Sequence, residues 1–196
     1  MIYSELLKQQ QELQIESKEI LTELKLNDLL SPVGEPVQVG SSALGLMVWR
    51  DIDITVVCSE LNINAIAQIA SKLITYKGMR EVKFINDSGI FNNSSDYPDG
   101  LYLGLKYKSL KGMDWKLDIW FVDQPEKQPD LMHIKIIPEQ LTPELRESIL
   151  TIKSIWVMKD EYGKTVRSYD IYTAVLYDNV RTPYQFQEWL RSKSKI

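Results

Sequence analysis

A chain of 196 residues, 44% hydrophobic and 26% charged, has the length of one domain, or of a core with an appendage, and enough apolar side chains to bury it. With 23 Lys and Arg against 27 Asp and Glu, the formal net charge is −4, which argues against a broad electrostatic footprint for nucleic acid or anionic membrane. No run approaches the roughly 18 apolar residues of a membrane span. The first residues carry neither the basic nor the apolar region of a secretory signal. Lone Cys58 has no internal disulfide partner, and lone His133 excludes a multi-His zinc site. The expectation is a cytoplasmic protein without a membrane anchor.

In chain order, Ser4 to Leu30 reads as one long amphipathic helix, with Leu6, Leu13, Ile20 and Leu24 on one face and charged residues over much of the rest. Ser31-Pro32 ends it. A short apolar strand, Pro36 to Val39, leads into Gly40-Ser41-Ser42 and a small-residue segment to Leu46. Asp51 to Cys58, rich in Ile, Thr and Val, reads as a strand. Asn62 to Lys77 has helical spacing and stops at Gly78. Strands follow at Glu81 to Ile85, Leu101 to Tyr107 and Trp115 to Val122. A polar loop, Asn86 to Gly100, separates the first two, and Lys111-Gly112-Met113-Asp114 supplies the turn between the last two. Pro125, Pro129 and Pro138 mark residues 123–142 as a connection rather than a continuous element. Thr142-Pro143 opens a helix that Gly163 ends. Ser168 or Asp170 opens another, and Thr182-Pro183-Tyr184-Gln185 opens the last with a capping box. The order predicts an α+β core over residues 1–135 and a helical C-terminal extension over 136–196.

The informative stretch is Gly40-Ser41-Ser42 followed, after a short gap, by Asp51-Ile52-Asp53-Ile54. Strand alternation puts Asp51 and Asp53 on one face. Two carboxylates side by side repel each other, and a hard divalent cation between them resolves the conflict because it takes oxygen ligands. Asp118 is a charge in the middle of the apolar strand Trp115 to Val122, and a cation shared with Asp51 and Asp53 would give it a partner. Gly40 permits close backbone approach, while Ser41 and Ser42 offer hydroxyls suited to phosphate. Phosphate beside paired carboxylates makes electrostatic sense only with metal between them, which implies Mg2+ or Mn2+ with a nucleoside triphosphate. Each motif alone is common. Together, at background residue frequencies, they arise by chance on the order of once in a hundred chains of this size.

Gly40-Ser41, the Asp51-Asp53 pair and the later Asp118 resemble the signature of the nucleotidyltransferase superfamily with a DNA polymerase β-like fold. The resemblance covers about Val33 to Val122. The tail, from Leu141 to Pro183, is similar to the helical end of small bacterial members. It implies a small mixed sheet flanked by helices. Asp51 and Asp53 would hold two divalent ions, and Asp118 would help hold the ion that activates an acceptor hydroxyl. Gly40, Ser41 and Ser42 would grip the β- and γ-phosphates. The implied reaction moves a nucleoside monophosphate, AMP by default from ATP, onto a hydroxyl of a small molecule or a protein. The overall negative charge disfavours a nucleic-acid acceptor. The alternative is a non-catalytic nucleotide-binding or regulatory, antitoxin-like module, and a homodimer through the N-terminal helix stays open.

Several further residues have a plainer reading at this stage. Arg50, directly before the acidic pair, could reach a phosphate but reads more simply as a solvated strand-end charge, and Asp114 reads as a turn residue. Trp120 shares the face of Asp118 and could stack on a base or acceptor, but reads more simply as a core aromatic. Lys153, Lys159, Lys164 and Arg167 read as solvated helix charges, although one of them could reach a triphosphate. Arg191, Lys193 and Lys195 read as a basic terminus. For His133 a Ser-His-Asp hydrolase is discounted, since no nucleophile-elbow motif accompanies it.

Overall fold

The computed structural model describes residues 3–94 and 96–193. The N-terminal amphipathic segment forms two helices, α1 (Tyr3–Glu23) and α2 (Leu26–Leu30), not the single one expected. Lys25 between them is left-handed, at φ 49°. The break turns the chain so that Leu24, Leu26 and Leu30 all become buried, which a straight helix would not allow. The expected face of α1, Leu6, Leu13 and Ile20, is buried as well.

Next come β1 (Glu35–Val39), α3 (Gly40–Leu44), β2 (Asp51–Val57), α4 (Ile63–Leu73), β3 (Met79–Asp87), β4 (Gly100–Lys108) and β5 (Asp114–Val122). Asn62 caps α4 by accepting from the Ala65 N–H. The strands form one mixed sheet in the order β1-β2-β5-β4-β3. Only β2 and β5 run parallel, and the other neighbours are antiparallel.

The sheet has two chemically different faces. Ile52, Ile54 and Val56 of β2, Leu117, Ile119 and Phe121 of β5, and Leu101, Leu103 and Leu105 of β4 alternate onto one side. There they pack with Leu13, Ile20 and Leu24 of the N-terminal segment and Ile66, Ile69 and Leu73 of α4. The opposite face presents Asp51, Asp53, Tyr102, Lys116, Asp118 and Trp120, all of them incompletely buried.

Residues 129–140, expected as a connection, form α5 (Pro129–Gln140). Pro129 occupies the first helical turn, where its missing N–H costs nothing. Pro138 lies in the final turn, where it removes one hydrogen bond shortly before the helix ends. The boundary expected at 135/136 therefore falls inside a helix. The chain closes with α6 (Pro143–Trp156), α7 (Ser168–Leu176) and α8 (Pro183–Lys193). Thr142 caps α6 through the Leu145 N–H, and the helix stops well before Gly163. These helices share a second core, including Ile137, Ile149, Ile152, Trp156, Ile171, Val175 and Phe186. Leu44 and Leu46 from the β1–β2 connection enter it. The connection thus ties the sheet to the helical part, and the cleft lies between them.

Candidate functional site

The cleft has a volume of about 1010 Å3 and is bordered by the polar sheet face, by Gly40 and Ser41, by the start of α5 and by Tyr162, Arg167, Ser168 and Tyr172. At its floor the parallel register of β2 and β5 sets Asp53 directly opposite Asp118, and Asp51 opposite Lys116. The carboxylates of Asp51, Asp53 and Asp118 offer ligand oxygens that all lie within 4.8 Å of one another. Strand alternation brings the first two together, and the parallel pairing brings the third.

Gly40 fixes the other edge of this cluster. In the antiparallel β1–β2 pair, Val39 faces Asp53. The next residue must turn at φ +64°, and a Cβ there would run into the Asp53 carboxylate. Only glycine meets both conditions.

Asp51 and Asp118 share one cation, Lys116, and Asp118 has a second partner in Tyr102. Tyr102 on β4 donates its hydroxyl to Asp118 Oδ1 at 2.5 Å. Gly104, directly opposite Asp118, leaves the space in which the Tyr102 ring lies. The Lys116 ammonium donates to Asp118 Oδ2 and sits 3.8 Å from Asp51 Oδ1, which is buried and makes no hydrogen bond. Burial pushes Asp51 up to about 6, with Lys116 opposing and Asp118 adding to the rise. Burial holds Asp53 well above the usual carboxylate range, and repulsion from Asp51, Asp118 and Asp130 reinforces it. Burial works against the Lys116 charge, but Asp51 and Asp118 together raise it above its ordinary value. Burial and the bond to Asp118 push the Tyr102 phenol upward. An all-oxygen donor set with mutual repulsion and an orphaned carboxylate oxygen fits a hard divalent cation.

The helical wall is organised around Lys153 of α6, which is completely buried rather than solvated as the sequence suggests. Its ammonium donates to Ser41 Oγ at 2.6 Å, to the Leu46 carbonyl at 2.8 Å and to the Tyr172 hydroxyl at 3.0 Å, so all three donors are used. Ser41 and Tyr172 also share a hydrogen bond of 3.1 Å, and both border the cleft. Burial lowers the Lys153 pKa, while Tyr162, Asp53 and Asp51 oppose that change. The Tyr162 hydroxyl pairs with Ser168 Oγ at 2.6 Å farther along the same wall.

The other candidates separate by position. Ser42 is buried and turns its hydroxyl back to the Val39 carbonyl, away from the cleft lining. Trp120 is not a core aromatic. It borders the cleft and packs on Tyr102 with centroids 5.0 Å apart. Arg50 is not a free strand-end charge, because its Nε donates to Glu16 Oε2 of α1 at 3.0 Å. Arg167 is exposed at the cleft rim, and Lys164 is exposed away from it. Lys159 lies over the Trp156 ring at 3.7 Å. Asp114 is exposed at the start of β5, 3.8 Å from Lys108. His133 stacks on Tyr169 at 4.0 Å and stands 3.6 Å from Asp130. Lys195 lies outside the described residues. Sequence reasoning passed over Lys116, although it shares the parity of Asp118. It also missed Tyr102 and Tyr172, whose roles depend on contacts that no local pattern encodes.

No helix among the described residues is long and apolar enough to cross a membrane. No protein-family model matches the chain, and no curated protein matches it in sequence. Solved structures do match. The Cid1 poly(U) polymerase bound to MgATP aligns with a TM-score of 0.61 at 24% identity, over 85% of this chain and 50% of that one. The same polymerase bound to MgGTP aligns with a TM-score of 0.60 at 24% identity, over 85% and 50%. A cytoplasmic RNA terminal U-transferase aligns with a TM-score of 0.58 at 21% identity, over 89% and 54%. The chain thus spans about half the length of the solved proteins it matches. With its mixed five-stranded sheet, flanking helices and acidic cleft floor, the chain has the nucleotidyltransferase fold.

Proposed function

We propose that the chain is a metal-dependent nucleotidyltransferase that moves a nucleoside monophosphate, AMP in the first instance, from a triphosphate to a hydroxyl acceptor and releases pyrophosphate. The observation that carries this reading is the convergence of Asp51, Asp53 and Asp118 at the foot of a cleft whose adjoining edge is Gly40 and Ser41. These acids would hold Mg2+ or Mn2+, which supplies the positive charge that offsets the phosphates and polarises the reacting phosphorus.

The chain's own groups divide the remaining work. Ser41, its hydroxyl fixed by Lys153 and Tyr172, faces the cleft as a phosphate contact, and the buried Lys153 charge behind it favours an anion there. Arg167 at the rim is placed to meet the same phosphates. Asp118 accepts the proton of the acceptor hydroxyl, with Tyr102 holding its carboxylate in orientation. The acceptor oxygen then bonds to the α-phosphorus as the bond to pyrophosphate breaks.

Two solved neighbours are named for poly(U) polymerase and RNA U-transferase activity, and an RNA acceptor would need a basic track. Among the described residues bordering the cleft the only Lys and Arg are Lys116 and Arg167, and Lys116 is engaged with the acids. That supports a small-molecule or protein hydroxyl as acceptor. The test is thermal stabilisation by ATP, GTP, CTP and UTP, each with and without Mg2+, on wild type and Asp53→Asn. A Mg2+-dependent rise with ATP that the variant weakens supports the reading. A preference for another nucleotide replaces AMP, and no rise with any of them refutes the triphosphate site.

A further inference from the structure

Lys116 stands where a positive ion is needed most. It faces Asp51 across the parallel β2–β5 pair, and its ammonium lies between the Asp51 and Asp118 carboxylates. It stands 3.8 Å from Asp51 Oδ1, an oxygen that makes no hydrogen bond. Its side chain is 44% exposed, against 14% for Asp51 and 17% for Asp118. The ammonium therefore reaches in from solvent on a flexible four-carbon stem, and withdrawing returns it to water. The Trp49 ring, 5.9 Å from Nζ, borders the same opening and offers an aromatic face beside the path of withdrawal.

We propose that Lys116 is a displaceable internal counterion: its ammonium neutralises the Asp51–Asp118 pair in the metal-free protein and must withdraw before those carboxylates can hold a divalent cation. The inference rests on the metal-dependent reading given above and assigns a role to a residue outside the ligand set. Three carboxylates left without a cation would repel one another across a half-buried floor, and a tethered monovalent charge relieves this without closing the site. The same charge then competes with free metal. A divalent ion brings twice the charge but must displace the ammonium from Asp118. Free Mg2+ or Mn2+ should consequently bind weakly. A metal–triphosphate complex should bind better, because its phosphates attract the released ammonium into the cleft. The metal would thus enter with nucleotide rather than ahead of it.

The experiment is direct titration of the full chain with Mn2+ in the absence of nucleotide, following free Mn2+ by electron paramagnetic resonance. The variants are Lys116→Met, Lys116→Gln and Asp53→Asn. Removing the ammonium is expected to tighten Mn2+ binding by tenfold or more in both lysine variants, and adding Asp118→Asn to Lys116→Met should cancel the gain. Unchanged or weaker Mn2+ binding in folded Lys116→Met or Lys116→Gln, checked by circular dichroism, overturns the proposal while leaving the metal site in place. Absence of any Mn2+ binding that Asp53→Asn removes, in wild type and lysine variants alike, overturns the metal-dependent reading along with it.

Discussion

The sheet wall of the cleft carries its charges two residues apart on adjacent strands, with Asp51 and Asp53 on β2 and Lys116 and Asp118 on β5. The helical wall assembles one contact from residues separated by 112 positions, Ser41 and Lys153, and another from residues separated by 131, Ser41 and Tyr172. The electrostatics differ as much as the construction. The acids remain partly open to water and repel one another, whereas Lys153 is sealed away and satisfied by neutral oxygens alone. Charge that must be exchanged with an incoming ion stays accessible, and charge that must stay is built into the core. The first arrangement is strained until a cation relieves it. The second is permanent, and only a complete hydrogen-bond shell makes a buried ammonium tolerable.

The sharpest way to break this division is Asp118→Asn. The substitution keeps shape and removes the proposed proton acceptor, so pyrophosphate release from MgATP should fall by about a thousandfold or more, equivalent to roughly 4 kcal/mol of barrier. Stabilisation by MgATP should persist, because Asp51, Asp53 and the Ser41 contact are intact. A rate within tenfold of wild type would remove Asp118 from the chemistry.

Lys153→Met tests the opposite wall. Replacing a buried charge with an apolar side chain of similar length is often close to neutral for folding, while the Leu46 carbonyl loses a donor at a cost of about 1–3 kcal/mol. The melting temperature should therefore move by only a few degrees, while nucleotide affinity, read by calorimetry, drops about tenfold or more. Unchanged affinity would reduce Lys153 to a structural pin.

The metal-free acids also predict a pH dependence whose sign is opposite to that of an ordinary paired carboxylate. Asp51, raised by burial to about 6 from an unfolded value of 3.8, binds more protons in the folded than in the unfolded state between those limits. Stability therefore declines as pH rises from about 4 to 6, by a few kcal/mol at most. Thermal melts in chelator should show the decline, Asp51→Asn should flatten it, and Mn2+ should offset it. A stability that rises across this window would contradict the burial of the pair.

Legibility followed the same line between the two walls. Alternation on β2 is readable because a strand has a fixed period of two, which puts Asp51 and Asp53 on one face, and Asp118 stands out as a lone charge in an apolar strand, but only the parallel pairing of β2 with β5 brings it to them. Gly40 and Ser41 were readable from their place between two strands. Lys153 was not, since a lysine on an amphipathic helix is usually solvated and nothing within α6 announces that Ser41 and Tyr172 will surround it. Helix α5 was missed because Pro129 reads as a break, although at the first helical position it is a start. The split at Lys25 was missed because the apolar period runs through it, and only the burial of Leu26 and Leu30 reveals the turn. Trp120 reads as core because an aromatic in an apolar strand usually packs inside, yet the face it shares with Asp118 borders the cleft.

The smallest expected effect tests how the two walls are joined. Helix α3 has only five residues, so its last carbonyls find no partners within it and the helix cannot stand alone. Arg146 of α6 donates to the Gly45 carbonyl at 2.5 Å and approaches the Leu44 carbonyl at 3.4 Å, and Gln14 of α1 donates to the Ser42 carbonyl at 3.0 Å. These side chains brace α3 from behind while Lys153 holds Ser41 from the side. Arg146→Ala should cost about 1–3 kcal/mol by leaving the Gly45 and Leu44 carbonyls short of a donor, and a chain of this size loses roughly 2–4 °C of melting temperature per kcal/mol. If the brace also sets the position of Ser41, nucleotide affinity should weaken severalfold in Arg146→Ala. A double substitution with Ser41→Ala should then lose less affinity than the two single effects combined, because both act through one contact. Fully additive losses would mean that Arg146 supports the fold alone and that Ser41 is placed by Lys153 and Tyr172 without help from behind.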